Sequence, residues 1–271
     1  MMHALLNAWL RGPDHPSKLR LFRWFVKRFS NSQVRLRVNE SALLVSIDDF
    51  IGSKVIFDGN YEYRSLEKAQ NLMRDGGLFI DVGSNFGLYS ILLSATEGVK
   101  VIAIEPDEYN FSQLRTNTLN NNRSNIILCN TALSNSDAIL PFELPCRENL
   151  GSVRITSRGV RMTADPNIVY RSATTFDRLA IALNVEEITL MKIDVEGHEL
   201  AVLQGIDWSA KYKPRNIICE FLDHAKELDG STRQDVYNFL VAKGYEGFDV
   251  EGNAISGTSD TIEYNAWFRL I

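Results

Sequence analysis

Residues 79–87 read FIDVGSNFG, an apolar run that leads directly into a turn with two glycines, Gly83 and Gly87. A short run of this kind is typical of a strand that is buried on both faces of a parallel sheet. The amphipathic stretch at residues 88–96 indicates a helix directly after the turn. In a doubly wound sheet, such a turn lets backbone amides approach a ligand outside the carboxyl ends of the strands. The stretch therefore predicts a strand, a glycine turn and a helix at the edge of a ligand site.

The sequence after this unit repeats the same alternation. Further apolar runs predict buried strands at residues 100–105, 125–130, 188–194 and 216–221. Helix-like stretches lie at residues 107–120, 175–182, 198–205 and 232–243. The alternation predicts an α/β fold with a doubly wound, mostly parallel sheet and helices on both faces. The tail, GYEGFDV and EYNAWFRLI, predicts an antiparallel pair with a C-terminal edge strand.

Two segments fall outside this alternation. Residues 1–75 contain a basic amphipathic helix at 17–29, short β-like runs and a second helix, and we interpret them as a small N-terminal cap. Residues 76–271 form the main domain. Within it, residues 133–171 interrupt the alternation, and we interpret them as an insertion on the ligand-facing side. One ligand-binding domain with a cap is therefore the predicted organisation.

The composition is ordinary for a globular protein. The 271 residues are 45% hydrophobic and 23% charged, which excludes collagen-like and low-complexity chains. The three cysteines lie far apart in sequence, so neither a disulfide framework nor a cysteine-rich metal site is expected. No apolar stretch approaches the ~20 residues that cross a bilayer. The first residues do not form a cleavable leader either, and we therefore expect a cytoplasmic location without a transmembrane segment.

The net charge of −5 hides an uneven distribution. Residues 1–37 carry a charge of +7, which leaves −12 for residues 38–271. Three roles are open for the basic helix at 17–29: packing on the domain or on a second subunit of a homodimer, peripheral contact with an anionic membrane surface, and binding to nucleic acid. We expect no nucleic-acid partner, because the acidic body of the protein would repel phosphate groups.

A second signal lies at the end of the next predicted strand. That strand ends in Glu105, which is followed by Pro106 and Asp107 and comes 22 residues after Gly83. A carboxylate at this position can accept hydrogen bonds from both ribose hydroxyls of a nucleoside. The dinucleotide fingerprint G-x-G-x-x-G is incomplete, since only two glycines are present with three residues between them. A nucleoside cofactor is therefore predicted, and a nucleotide-dependent dehydrogenase stays an alternative.

Six segments share their order and spacing with one known family: IDVGSNFGLYS, IAIEPDEYNFSQLRTN, NTALS, TTFDRL, MKIDVEGHELAVLQG and IICEF. They resemble the FkbM family of S-adenosylmethionine-dependent methyltransferases, which have the class I, Rossmann-like fold. The resemblance covers about residues 60 to 225. It implies that residues 76–271 bind S-adenosylmethionine, that the insertion at 133–171 lies near the acceptor, and that the methyl group moves to oxygen, often a sugar or polyketide hydroxyl.

The resemblance also implies a set of cofactor-binding residues. The methionine part of the cofactor would lie against Asp81, Gly83 and Asn85, the ribose on Glu105, and Glu62 would close over the cofactor. The adenine would lie near Pro106, Asp107 and the segment 130–132. The complete implied set is Glu62, Asp81, Gly83, Ser84, Asn85, Gly87, Glu105, Pro106, Asp107, Asn130, Thr131 and Ala132.

Methyl transfer to a hydroxyl calls for a base, because the hydroxyl must lose its proton. Asp194 is expected at the tip of the fourth strand and is the first candidate for base or acceptor-orienting group, with Glu196 second. Glu220 ends the fifth strand, and His224 follows it as a further candidate base. Alternatively, Glu196 only complements the dipole of the following helix. Asp194, Glu196 and Glu220 could also bind a divalent metal ion, although no motif requires one.

The predicted function is therefore that of an S-adenosylmethionine-dependent O-methyltransferase, with a hydroxyl of a small molecule, sugar or glycoconjugate as the acceptor. An anionic acceptor, such as a uronic or phosphate-linked sugar, would explain four arginines in the insertion; a solvated or dimer-contacting loop is the other explanation. They are Arg154, Arg158, Arg161 and Arg171. A nucleotide-dependent dehydrogenase and a non-catalytic binding protein that retains the fold stay as alternatives.

Overall fold

The structure is a computed structural model that describes residues 24, 28, 33–46, 52, 55–56, 62–144, 154–156, 165–221, 232–257 and 265–271. The predicted basic helix at 17–29 lies outside these residues, except for Trp24 and Arg28, which are helical and exposed. The alternative roles of that helix therefore stay predictions. No helix within the described ranges is long and apolar enough to cross a membrane.

The strands and helices follow the alternation that the sequence predicts. In chain order, they are β1 (Gln33–Val38), β2 (Ser41–Ser46), α1 (Tyr63–Leu72), β3 (Gly77–Val82), α2 (Leu88–Leu93), β4 (Val99–Ile104), α3 (Glu108–Asn120), β5 (Ile126–Cys129), β6 (Ala132–Leu133), β7 (Ala138–Glu143), β8 (Arg154–Ile155), β9 (Ile168–Thr174), α4 (Phe176–Ala182), β10 (Leu190–Ile193), α5 (Glu199–Gln204), β11 (Asn216–Glu220), α6 (Arg233–Ala242), β12 (Tyr245–Asp249) and β13 (Asn265–Leu270).

A seven-stranded sheet forms the centre of the fold, with the strand order β12-β13-β11-β10-β3-β4-β5. The five strands from β11 to β5 are parallel, and β13 runs antiparallel to both of its neighbours. This confirms the predicted doubly wound, mostly parallel sheet with an antiparallel pair at one edge. Within that pair β12 is outermost, and the C-terminal strand β13 lies one position inward. A strand as buried as β13 at Ala266 and Phe268 needs backbone partners on both sides.

The strand order reverses between β3 and β10. From β3 the chain proceeds outward through β4 to β5, and it later returns to β10 on the other side of β3. In open α/β sheets a crevice forms at such a reversal, outside the carboxyl ends of the strands. Val82 and Ile193, the last residues of β3 and β10, are register partners. The glycine turn after Val82 therefore lies at the crevice.

Each face of the central sheet carries its own hydrophobic core. Phe79 packs into one core and Ile80 into the other, as the period-two alternation of a strand requires. The first core is closed by α1, α2, α3 and the β1–β2 hairpin, and the second by α4, α5 and α6. Because the strands are covered on both faces, they read as continuous apolar runs in the sequence.

The β1–β2 hairpin is joined to the main domain through two asparagines of α3. Asn117 Oδ1 accepts the N–H of Leu44 at 2.7 Å, and Asn121 Oδ1 accepts the N–H of Ala42 at 2.8 Å. The Asn117 amide also donates to the carbonyl oxygen of Phe86 in the glycine turn at 2.9 Å. The described part of residues 1–75 thus shares a core with the main domain, and its separation as a cap stays a prediction.

A second sheet, with the strand order β6-β9-β7-β8, lies within and directly beside the predicted insertion at 133–171. Phe142 of β7 and Ala173 of β9 pack with Ala132 in a small apolar cluster on one face. Ile139 and Tyr170 on the opposite face are exposed. Within the described part of this region, the strands are covered on one face and exposed at Ile139 and Tyr170 on the other, which explains why the sequence pattern changes here.

Candidate active site

A cavity opens at the carboxyl ends of β3, β4 and β10. It encloses about 880 Å³, part of which is open to solvent. Most of the predicted site residues line it: Glu62, Asp81, Gly83, Ser84, Asn85, Glu105, Pro106, Thr131, Ala132, Asp194 and Glu196. Gly87, Asp107, Asn130 and Glu220 are not part of the lining, and His224 lies outside the described residues.

The glycine turn has a conformation that few other residues could adopt. Gly83 and Gly87 have φ angles of +81° and +92°, in the left-handed region that favours glycine. Asn85 between them also has a positive φ, 51°, which asparagine tolerates better than most residues do. A Cβ atom on Gly83 would lie 1.8 Å from the carbonyl oxygen of Asp194. The turn is therefore fixed both by its own backbone and by contact with the loop after β10.

Glu105 follows β4 directly and forms another part of the cavity wall. Its two carboxylate oxygens accept the backbone N–H groups of Asn85 and Asp107, each at 2.8 Å. Burial raises the pKa of Glu105 to about 8, although both hydrogen bonds oppose this shift. Asn130 donates to the Glu105 carbonyl oxygen at 2.8 Å and so supports the residue from behind. Each carboxylate oxygen can accept a second hydrogen bond, so Glu105 can contact a ligand without losing its backbone partners.

The described contacts of Asp107 are structural. Its side chain caps α3 by accepting the N–H groups of Tyr109 and Asn110 at 2.9 and 3.0 Å. Arg171 lies 3.5 Å from Asp107 and 2.7 Å from Glu108, so its charge is already compensated within the protein. The side chains of the other three insertion arginines lie outside the described residues: Arg154, Arg158 and Arg161.

The end of β10 carries an ion pair at the cavity wall. Lys192 Nζ donates to Asp194 Oδ2 at 2.6 Å. Lys192 is only 3% exposed, whereas the Asp194 side chain keeps 22% of its exposure. The ring centroid of Tyr89, on α2, lies 4.7 Å from the Lys192 ammonium group. Both charged side chains therefore lie on the side of the sheet that α2 covers.

Two further carboxylates face this ion pair. Asp81 is the register partner of Lys192 on β3 and accepts a hydrogen bond from Ser90 Oγ at 2.5 Å. Burial raises the pKa of Asp81 to about 6, against the opposing effect of Lys192. Glu62 precedes α1 and accepts a hydrogen bond from the Tyr89 hydroxyl at 2.8 Å. One buried lysine thus lies among three carboxylates.

Three glutamates near the ends of β10 and β11 have different surroundings. Glu196 lines the cavity and has a φ of +56°, which is unusual for a residue other than glycine. Glu199 accepts two backbone N–H groups of the loop after β10, at 3.2 and 3.0 Å, and burial raises its pKa to about 7. Burial and, next, the charge of Asp194 raise the pKa of Glu220 to about 10. These surroundings favour Glu220 as a hydrogen-bond donor at neutral pH rather than as a base.

The expected ligands of a divalent ion are not arranged as a metal site. Within the described ranges, no group of three or more histidine, cysteine, aspartate or glutamate side chains could hold a metal ion. Asp194, Glu196 and Glu220 therefore do not form such a group. The alternative of metal-assisted transfer gains no support from their positions.

A comparison with protein-family models shows the family to which this chain belongs. The family model of the methyltransferase FkbM domain matches residues 81–246, more than half of the chain. The chain belongs to the methyltransferase FkbM family. It is a methyltransferase, and its seven-stranded sheet is the class I methyltransferase fold that the sequence predicts. Family membership favours this activity over the dehydrogenase alternative.

Two relatives agree with this assignment. This FkbM protein is 27% identical to methyltransferase sdnD of Sordaria araneosa over 224 residues, 73% of this chain and 82% of the relative. It is 33% identical to hexuronic acid methyltransferase AglP of Haloferax volcanii over 129 residues, 46% of this chain and 48% of the relative. Among solved structures, magnesium protoporphyrin IX methyltransferase of Synechocystis PCC 6803 has a TM-score of 0.45 at 14% identity, covering 95% of this chain and 98% of that chain.

S-adenosylmethionine, the methyl donor of FkbM methyltransferases, is the cofactor of this protein. The cavity wall fits it chemically. The sulfonium and ammonium groups of the cofactor are cationic, and the wall supplies the carboxyl groups of Glu62, Asp81 and Asp194. The carboxyl of Glu105 retains the hydrogen-bonding capacity that a ribose requires.

Several lining residues of this FkbM protein were not predicted as site residues, among them Tyr89, Phe142, Ile155, Lys192 and His198. Lys192 is marked in the sequence only by being charged within a run that otherwise reads as buried. Phe142 and Ile155 are register partners on β7 and β8, and no motif distinguishes them. His198 Nε2 lies 3.0 Å from a serine hydroxyl, which no local pattern could indicate because the serine is 64 residues away.

Proposed function

We propose that this FkbM protein is an O-methyltransferase that moves the methyl group of S-adenosylmethionine to a hydroxyl of a sugar or glycoconjugate. The position of Asp194 carries the proposal. Its carboxylate lines the cavity beside the glycine turn, and Lys192 occupies only one of its oxygens, Oδ2. The other oxygen has no hydrogen-bond partner among the described residues. A carboxylate oxygen in this state can accept a hydrogen bond, and then a proton, from an acceptor hydroxyl.

The proposed placement of the cofactor follows the lining residues. Its methionine part lies against Asp81 and the turn that contains Gly83, its ribose lies on Glu105, and its adenine lies beside Pro106. The predicted contacts of Ser84, Asn85, Thr131, Ala132 and Glu62 are also supported by their positions in the lining. This placement leaves Asp194 and Glu196 on the side of the cavity that the acceptor must enter.

The chain contributes position and proton transfer to the reaction. When bound, the cofactor would supply an activated methyl group, which the acceptor oxygen would take from the sulfonium sulfur. Asp194 takes the hydroxyl proton, so that the product is a neutral methyl ether. Holding the reacting atoms in line can supply about 7 to 11 kcal/mol. Proton removal by a positioned base contributes about a hundred- to ten-thousandfold in rate.

Two observations support a sugar as the acceptor. The relative AglP is described as a hexuronic acid methyltransferase, and it shares 33% identity with this chain over the matched region. The cavity also has an apolar wall formed by Phe142 and Ile155 of the second sheet. Such a wall suits the C–H face of a sugar ring, while the carboxylates of the lining can contact its hydroxyls.

The test is methyl transfer from methyl-labelled S-adenosylmethionine to a matched pair of acceptors, methyl glucuronoside and methyl glucoside. We expect a methyl ether on a ring hydroxyl, which survives mild alkali. Asp194→Asn should lower the rate about a hundredfold or more, because an amide cannot take up the proton. Calorimetric affinity for S-adenosylhomocysteine should change less than about threefold, since the lost group acts on the acceptor.

The matched control is Asp75→Asn, whose side chain is 89% exposed. It should leave the rate unchanged. A product that mild alkali hydrolyses would be a methyl ester and would show that a carboxylate, not a hydroxyl, is the acceptor. A carboxylate has already lost its proton at neutral pH, so Asp194→Asn should then have little effect.

A further inference from the structure

Lys192 is a cation in a place where lysine is rarely found. It lies in β10, a strand buried on both faces, and its side chain is only 4% exposed. A lysine in such a position is almost always paired. The described lining of the cavity contains no second lysine and no arginine, so Lys192 faces the carboxyl groups of the wall without help from another such cation.

Three carboxylates surround the Lys192 ammonium group. Asp194 is in direct contact at 2.6 Å, Asp81 is its register partner on β3, and Glu62 reaches the cluster through the hydroxyl of Tyr89. Burial alone would lower the pKa of Lys192, but the charges of Asp194, Glu62 and Asp81 reverse this and raise it above the ordinary value. The raised pKa keeps Lys192 an ammonium at neutral pH, so it is not the base.

We infer that Lys192 is a positioning residue, which holds Asp194 by its Oδ2 atom and turns the Oδ1 atom toward the acceptor hydroxyl. The inference rests on the proposed function and adds to it. A carboxylate on a loop can rotate, but one that is bound at a single oxygen by a buried ammonium group presents the other oxygen in a fixed direction. Lys192 keeps its own proton throughout, and the hydroxyl proton goes to Asp194.

The ion pair has a second consequence, for the charge of Asp194. Removal of Lys192 would leave Asp194 among acidic groups, with no lysine or arginine in the described lining of the cavity. These groups are Asp81 on β3, Glu62 before α1, Glu196 and Glu199 after β10, and Glu220 on β11, together with the phenol of Tyr89 on α2 and the thiol of Cys219 on β11. Lys192 therefore offsets part of the negative charge around Asp194.

A titration that needs no acceptor tests this directly. The protein is labelled with carboxyl-¹³C aspartate, and the Asp194 signal is assigned by its loss in Asp194→Asn. In Lys192→Met we expect the titration midpoint of that signal to rise by about 1 to 3 pH units, the size of effect that an adjacent opposite charge exerts. Lys192→Arg should keep the midpoint near that of the native protein, and so should Lys211→Met, whose side chain is exposed. An unchanged midpoint in Lys192→Met would overturn the inference.

Kinetics test the positioning role itself. The acceptor is the one that is methylated in the transfer assay described above. With it, Lys192→Met should lower kcat about a hundredfold and leave KM for S-adenosylmethionine within about threefold. The acid limb of the plot of kcat against pH should move to higher pH. In an Asp194→Asn background, the same substitution should cost less than about threefold, because the two residues act as one unit. Fully additive losses would show that Lys192 acts elsewhere.

Lys192→Arg keeps the test decisive if Lys192→Met does not fold. A guanidinium group preserves the charge but is larger and planar, so it displaces the carboxylate. We expect kcat to fall about tenfold, while the acid limb of the plot of kcat against pH stays in place. This is the result expected when the Asp194 carboxylate is displaced but the charge beside it is kept. Undiminished kcat in this variant would overturn the positioning role. If the titration shift is found but no sugar is methylated, the ion pair stands and the proposed acceptor class is wrong.

Discussion

The backbone of Gly83 lies directly against the backbone of Asp194, with space for no side-chain atom between them. A Cβ atom on Gly83 would stand 1.8 Å from the carbonyl oxygen and 2.9 Å from the carbonyl carbon of Asp194. Gly83 belongs to the turn on which we place the cofactor, and Asp194 to the loop that carries the proposed base. The same contact therefore sets the distance between the two halves of the site.

Gly83→Ala should destabilise the protein and abolish cofactor binding. The new Cβ would have to displace backbone atoms of Asp194, and alanine is also strained at a φ of +81°. We expect the free energy of unfolding to fall by more than about 3 kcal/mol, measured by urea denaturation.

The matched control is Gly244→Ala. Gly244 has a similar φ of +89°, but its Cβ would meet nothing closer than 3.9 Å. This variant should lose only about 1 to 2 kcal/mol, the cost of the left-handed conformation itself. Equal losses in the two variants would show that the contact with Asp194 has no energetic weight.

Glu105→Gln should weaken the binding of S-adenosylhomocysteine about tenfold in calorimetry. A glutamine side chain has one acceptor oxygen where glutamate has two, so it cannot serve Asn85, Asp107 and the ribose together. The control is Glu97→Gln, at an exposed turn, which should bind as the native protein does. If Glu105→Gln binds S-adenosylhomocysteine as tightly as the native protein does, Glu105 does not contact the ribose and that part of the proposed placement is wrong.

Much of the fold is readable from the sequence because its strands are buried on both faces. The runs at β3, β4, β5, β10 and β11 are short and nearly continuous in apolar residues, and glycine and carboxylate positions follow β3 and β4 directly. Gly83 and Glu105 can be predicted as site residues for this reason, because each directly follows the last residue of a buried strand. The order of the edge pair was harder, since no local pattern shows that β13 lies inside β12.

The rest of the site depends on contacts between distant residues. Lys192 cannot be predicted as a site residue, because a single charge in an apolar run does not reveal its partners. Two of these partners, Glu62 and Asp81, lie more than 100 residues away in sequence. Asp107 follows a strand as Glu105 does, but its side chain caps α3 instead of lining the cavity. A position at the end of a strand therefore predicts where an acidic residue lies in the fold, but not the direction in which its side chain points.

The stability of the ligand-free protein should fall as pH rises from about 5 to about 8. Burial raises the pKa of four carboxyl groups, Asp81 to about 6, Glu199 to about 7, Glu105 to about 8 and Glu220 to about 10. In the unfolded chain these groups lose their protons near pH 4, so above that pH the folded state binds more protons than the unfolded state does. The stability that this gives is present at low pH and is lost as pH rises through the folded-state pKa values.

Urea denaturation at several pH values across this window measures the effect. We expect the free energy of unfolding to decrease by several kcal/mol in the native protein, since each carboxyl protonated only in the folded state contributes about 1.4 kcal/mol per pH unit. The decrease should be smaller in Glu105→Gln, which has no carboxyl to ionise at this position. Glu97→Gln should retain the full slope. Lys192 does not contribute to the slope, because its raised pKa confines its titration to pH values above this window. Stability that increases over the same window would contradict the assignment of these groups as protonated in the folded state.

The apolar wall of the second sheet should affect the acceptor and not the cofactor. Ile155 lines the cavity and is the register partner of Phe142. It is only partly buried, so truncation of its side chain leaves the sheet intact. Ile155→Ala should raise KM for the acceptor about tenfold, the value of a few methylene contacts in an apolar pocket, while the affinity for S-adenosylhomocysteine stays unchanged. Ile139→Ala removes the same atoms from the opposite face of β7, where Ile139 is 65% exposed, and should change neither quantity. If Ile155→Ala instead weakens S-adenosylhomocysteine binding at constant acceptor KM, the second sheet covers the cofactor and does not contact the acceptor.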